Sequence, residues 1–221
     1  MTKLNQTYST DLKYTEWQQI AEFFPTFQMG RPPKWEKWQV INAILYVNRT
    51  GCQWRMLPVN FPPWRTVYFY YWSWQRDGVW QRINDVLVKK VRKQAGRHER
   101  PSAAVIDSQS VKTSEGGEER GVDVHKQTPG RKRHLVVDVL GLVLLVVVHS
   151  ASIQDGAGGL LTLQTLFDHI KHNLHNRWCR LKLIWADGGY PSIMDVVRQR
   201  FGWTLQIVKR SEDGKGFQVL P

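Results

Sequence analysis

Beyond residue 100 this chain changes from helical periodicity to short β-branched apolar runs, and the order of those runs most restricts its fold. Ala103-Ala104-Val105-Ile106 leads into Asp107, His134-Leu135-Val136-Val137 leads into Asp138, and Leu142 to His149 follows a turn at Leu140-Gly141. Leu181 to Ala186 then leads into Asp187, and Thr204 to Lys209 comes last. Runs of this composition and length read as strands buried on at least one face. Helical spacing over Gly158 to Asn173 separates the third run from the fourth, and a second helix over Ser192 to Arg200 separates the fourth from the fifth. A polar loop that includes Ser114 to Glu119 lies between the first two runs. The expected order is βββαβαβ.

Three turn-linked strands followed by alternating helices and strands is the order of a ribonuclease-H-like fold, a mixed five-stranded sheet between helices. Its first and fourth strands are neighbours. Asp107 and Asp187, at the ends of those two strands, are therefore expected to meet at one sheet edge, where α/β proteins place their chemistry. Hard divalent cations take oxygen ligands, so two such carboxylates can share a metal ion. Phosphoryl transfer on a nucleic-acid backbone needs charge neutralisation and an activated oxygen nucleophile, which Mg²⁺ ions supply. A single strand-end aspartate more often forms a turn or caps a helix. The metal reading rests on the pair.

The first hundred residues are helical. Helices are expected over Thr15 to Phe24, Lys37 to Arg49, Trp64 to Trp74 and Gln81 to Lys93, with Pro25, Gly51 and Pro62-Pro63 as punctuation. Eight of the eleven tryptophans lie here, chiefly as core fillers for a small domain. A helix, a short turn and a further helix opening on Trp64-Arg65-Thr66 fit a helix-turn-helix, whose second helix enters the major groove by its first residues. Arg65, Thr66 and Tyr68 are then candidate DNA contacts, although any three-helix bundle could share the pattern. The polar stretch Gln94 to Pro101 marks the expected boundary, giving a helical DNA-binding domain over 1–98 and a catalytic domain over 99–221.

Charge supports a polyanionic partner. The net charge is +12, with 16 Lys/Arg against 7 Asp/Glu in residues 1–100 (+9) and 15 against 12 in residues 101–221 (+3). Lys126 and the run Arg131-Lys132-Arg133 can hold phosphates near the paired aspartates, or can serve as a solvated sheet edge. Cys52 and Cys179 lack metal-type spacing. His169, His172 and His175 fall near a helix C-terminus, where the dipole explains them, and Asp155 and Asp138 read as a helix-entry and a turn residue. Without a signal peptide or a membrane-length apolar run, the expectation is a soluble cytoplasmic protein, associated with the nucleoid when bound to DNA.

Several longer motifs carry a family resemblance. In the first half these are Asn42 to Val47, Thr50-Gly51-Cys52-Gln53-Trp54-Arg55-Met56-Leu57-Pro58, Phe61 to Tyr68 and Trp74 to Trp80. In the second they are Ile106-Asp107-Ser108-Gln109-Ser110-Val111-Lys112, Gly130-Arg131-Lys132-Arg133-His134, Val137 to Leu142 and Ala186-Asp187-Gly188-Gly189-Tyr190. Across nearly its whole length the chain resembles the DDE-type transposases of bacterial insertion sequences, in the IS-five group of the IS-four-like superfamily. The resemblance implies α+β architecture overall: a helix-turn-helix-like domain followed by an α/β ribonuclease-H-like domain. It further implies Mg²⁺- or Mn²⁺-dependent cutting and joining of double-stranded DNA at terminal inverted repeats, by a homo-oligomer on DNA. Asp107 and Asp187 match the family's first two catalytic, metal-binding acids.

The family's third acid is a glutamate on a helix after the fifth strand, and it has no counterpart before Pro221. Glu212 and Asp213, beside Gly214 and Gly216, read as turn residues. The expectation is a chain cut short before its last helix, with a two-metal site only when the triad is completed. A DNA-binding protein without catalysis, inhibiting or regulating transposition, is the alternative.

Overall fold

A computed structural model describes residues 7–26, 32–113, 119–172 and 180–208. The chain divides into two compact units, residues 1–86 and 87–221. The division falls inside a helix and not in the polar stretch 94–101 expected to separate domains. The reason is burial: the later half of that helix carries Val88 and Arg92, which the second unit buries.

The first unit contains α1 (Tyr14–Ile20), α2 (Lys37–Thr50), α3 (Trp64–Arg76) and the start of α4 (Val79–Gln94). Helix α2 begins where the Glu36 N–H donates to Gln39 Oε1, 2.9 Å away, and it buries Val40, Ile41, Ala43, Ile44 and Val47. Phe24 stands edge-on to Trp74 at 4.6 Å and to Trp80 at 5.8 Å, closing the core beside Val67 and Val79. Of the unit's eight tryptophans Trp74 is buried, Trp72 is 50% exposed and the other six are half-buried.

The second unit is a mixed sheet flanked by helices. Strand β1 (Ala103–Lys112) pairs antiparallel with β3 (Thr128–Asp138) on one edge and parallel with β5 (Leu183–Ala186) on the other. Strand β5 pairs parallel with β6 (Thr204–Ile207). The far edge of β3 carries β4 (Val143–Ser150) from Arg131 onward and the short β2 (Gly121–Asp123) along residues 128–130. The main order is β4-β3-β1-β5-β6, which puts the first and fourth expected strands side by side. One face of the sheet, through Ala104, Ile106, Val136 and Ile184, packs on Leu163, Leu166 and Ile170 of α5 (Asp155–His172) and on Val197 and Phe201 of α6 (Met194–Phe201).

Two expectations change. Among the described residues the sheet has six strands where five were expected, because Gly121 to Asp123, read as loop, finds free ladder positions on β3 beyond the end of β4. Strand β1 does not stop at Asp107. Its partner β3 continues to Lys112↔Gly130, so the antiparallel ladder carries β1 five residues further.

Candidate active site

The two aspartates stand where the parallel ladder runs out. The last parallel pair is Val105↔Trp185, and each acid lies two residues beyond it. Past that pair β5 ends and turns, while β1 continues along β3. Both acids are exposed, and each is held by a local turn bond: Asp107 Oδ1 accepts the Ser108 N–H at 2.7 Å, and Asp187 Oδ1 accepts the Gly189 N–H at 3.0 Å. Among the described residues no hydrogen bond reaches either Oδ2. Tyr190 follows the Asp187 turn and is fully buried, and burial raises its hydroxyl well above the ordinary value despite the Ser108 side chain facing it. The negative charges of Asp155, Asp107 and Asp187 push it further in the same direction.

Beneath this edge lies a polar network. Asp155, opening α5, accepts the Ser108 hydroxyl at 2.9 Å and the Lys132 ammonium at 2.8 Å, both on Oδ1. Lys132 also donates to the Ile153 carbonyl at 3.0 Å and pairs with Asp123 Oδ2 at 3.2 Å, where the Ser110 hydroxyl donates at 2.5 Å. Burial opposes the charge on Lys132, but its bonds to Asp155 and Asp123 outweigh that and raise its pKa. Burial likewise opposes ionisation of Asp155, and the Lys132 and Ser108 bonds reverse it to a lowered value. Next to them His134 Nδ1 lies 2.9 Å from His149 Nε2, with both rings buried. Burial, aided by the charge of His149, pushes His134 down to about 4.

The basic candidates separate. Arg133 is exposed, donates through Nε to Gln109 Oε1 at 2.9 Å, and lines a cleft of about 440 Å³ with Asp107, Ser108, Gln109, Leu135 and Val146. Arg131 is half-buried and Lys126 exposed. Lys132 is 3% exposed, which corrects its reading as a phosphate contact. The pleat turns it to the opposite face from Arg131 and Arg133, into the pairs with Asp123 and Asp155. In the first unit Arg65 and Tyr68 are exposed on the opening turns of α3 and Thr66 is half-buried. Phe69 and Trp72, 61% and 50% exposed, extend that surface, and Arg76 lies over the Trp72 ring at 4.9 Å.

Sequence reasoning missed Ser108 and Asp155 as neighbours of the acid pair, and missed the buried pairing of Lys132 with Asp155. The alternation Lys132, His134, Val136, Asp138 was the available signal, since a cation in the buried register needs a carboxylate partner. Asp138 does form its turn, accepting the N–H groups of Leu140 and Leu142, and it also pairs with buried Arg92. Glu212, Asp213, His175 and the side chain of His172 lie outside the described residues. Two exposed carboxylates with open oxygens fit a hard divalent cation. Among the described residues no three His, Cys, Asp or Glu side chains group closely enough to hold one. No helix among them is long and apolar enough to cross a membrane.

Comparison with known proteins adds to this geometry. Residues 12–84 match a family described as a putative transposase of the IS4/5 family, and residues 98–220 match one described as a transposase DDE domain. Over 95 residues the chain is 33% identical to the "Insertion element IS402 uncharacterized 16.2 kDa protein" of Burkholderia cepacia. That stretch is 40% of this chain and 57% of the relative's length. No solved structure matches.

Proposed function

The chain belongs to the transposases built on a DDE domain, and from that premise we propose that it binds the terminal repeats of an insertion sequence and cleaves and transfers DNA strands there with Mg²⁺ or Mn²⁺. The observation that carries this reading is the in-register placement of Asp107 and Asp187 beyond the last parallel pair, Val105↔Trp185. Those two side chains would hold the metal, which when bound supplies charge neutralisation at the phosphate and an activated oxygen nucleophile. Arg133, in the cleft beside Asp107, would hold a backbone phosphate and orient it toward the acids. Lys126 and Arg131 extend that basic surface.

In the first unit, α3 acts as the recognition helix of a helix-turn-helix-like domain, with Arg65, Thr66 and Tyr68 contacting DNA. The protein works as a homo-oligomer on double-stranded DNA, in the cytoplasm at the nucleoid. No third acid is assigned among the described residues, and the reading requires one for a complete two-metal site.

The test is strand cleavage on labelled DNA bearing the element's ends, with Mg²⁺ or Mn²⁺. Cleavage lost in Asp107→Asn and in Asp187→Asn is the expected result, and cleavage that survives either change overturns the assignment. A second reading, DNA binding without catalysis that regulates transposition, is favoured by the net charge of +9 carried by residues 1–100. Its signature is preference for end sequence over random DNA, with a steep salt dependence and no cleavage.

A further inference from the structure

Past Val105 and Trp185 the parallel ladder between β1 and β5 ends, and there Asp155 bonds Ser108 and lies against Gly189. We propose that Asp155 is a positioning residue, which sets the spacing of the two aspartates by tying the β1 segment after Asp107 to the turn after Asp187. The inference rests on the metal reading of that pair.

On one side Asp155 Oδ1 receives the hydroxyl of Ser108, the residue next to Asp107, at 2.9 Å. On the other it lies against the Asp187 turn. A Cβ placed on Gly189 would stand 3.2 Å from Asp155 Cβ, 3.2 Å from Asp187 Oδ1 and 3.4 Å from Asp155 Oδ2. Asp155 and Asp187 thus both face Gly189, each within contact distance of the position its Cβ would take. From behind, Lys132 bonds Asp155 Oδ1 at 2.8 Å and is itself anchored on Asp123 and the Ile153 carbonyl, so three elements converge on one carboxylate.

The helix dipole alone does not account for this arrangement. An aspartate opening a helix is favoured there when fully solvated, whereas this one draws a buried lysine from β3 and a hydroxyl from β1. Asp155 Oδ1 already takes two donors, and among the described residues no three His, Cys, Asp or Glu side chains group closely enough to hold a metal, so the role assigned to Asp155 is positioning. Side chains behind metal-binding carboxylates orient them, and their loss characteristically costs about 10-fold to 100-fold in metal affinity.

The experiment is Mn²⁺ binding to the full chain by calorimetry, with thermal melting in parallel. Asp155→Ala is expected to weaken Mn²⁺ binding about 10-fold or more. Asp155→Asn, which keeps an oxygen for Ser108 and Lys132, is expected to recover most of that loss, and Asp195→Asn at the opening of α6 to change nothing. Ser108→Ala removes one hydroxyl and no charge, and is expected to weaken binding by about 3-fold to 10-fold, the worth of one hydrogen bond. It carries the test if Asp155→Ala does not fold. Unchanged Mn²⁺ affinity in Asp155→Ala, or in Ser108→Ala where the first does not fold, overturns the proposal and leaves the metal reading standing. A lowered melting temperature with unchanged affinity does the same. Asp155→Asn as weak as Asp155→Ala overturns positioning in favour of charge alone. A wild-type chain that takes up no Mn²⁺ overturns both readings.

Discussion

Lys132 Nζ meets Asp155 Oδ1 at 2.8 Å beneath the sheet, a pair that withdraws the middle cation of Arg131-Lys132-Arg133 from the surface. Removing one partner of a buried ion pair leaves the other charged and desolvated. Lys132→Met strands two carboxylates, Asp123 and Asp155, and is expected to cost about 3–5 kcal/mol in urea unfolding. Arg133→Ala, at an exposed position on the opposite face of the strand, is expected to stay within about 0.5 kcal/mol. Arg133→Ala should instead weaken DNA binding and reduce the salt slope by about one unit.

Close approach of backbone to side chain makes one glycine far more sensitive than another. A Cβ on Gly158 would stand 2.5 Å from His149 Nε2, whereas one on Gly188 would meet nothing within 4 Å. Gly158→Ala is therefore expected to destabilise by about 1–3 kcal/mol through overpacking against the histidine pair. Gly188→Ala is expected to leave the unfolding midpoint nearly unchanged.

Acid should unfold the second unit partly through His134. Burial first, and then the charge of His149, hold it at about 4 against an ordinary 6.5. Between those values the unfolded chain binds more protons than the folded one. The contribution of His134 is thus complete above pH 6.5 and is lost as pH falls toward 4, by at most about 3 kcal/mol. Lys132 opposes its protonation, and Asp155 favours it. The check is the unfolding free energy of wild type and His134→Gln across pH 7 to 4, where the wild type is expected to fall more steeply.

Arg92 and Asp138 form a second buried pair, with side chains 5% and 0% exposed. Arg92 also donates to the His98 carbonyl at 2.8 Å, and Asp138 accepts the Leu140 and Leu142 N–H groups at 2.9 and 2.8 Å. Asp138→Ala removes an ion pair and a turn together, and is expected to cost about 3–5 kcal/mol. Arg92→Met with Asp138 intact should cost less than Asp138→Ala, since the two N–H bonds to Asp138 survive. Denaturant unfolding of both variants measures the difference.

Much of the candidate site was legible from the chain alone. The apolar runs ending in Asp107 and Asp187 announced strands, their order made the two strands neighbours, and the ladder between Ala103 and Val105 bears that out. What stayed hidden was which polar residues the sheet would turn inward. Whether Lys132 faces solvent or Asp155 depends on the register of β1 against β3, a choice in which a shift of one residue reverses every side chain.

Sequence by itself determined the elements, because periodicity and turn chemistry act over a few residues, and through strand order it put Asp107 and Asp187 at the ends of apolar runs that form neighbouring strands. Only the tertiary structure decided the extent of β1, the sixth strand, and the contacts of Asp155 with Ser108 and Lys132. Those depend on hydrogen-bond partners 47 and 23 positions away. Such bonds form only once packing has excluded water, and no local pattern records them.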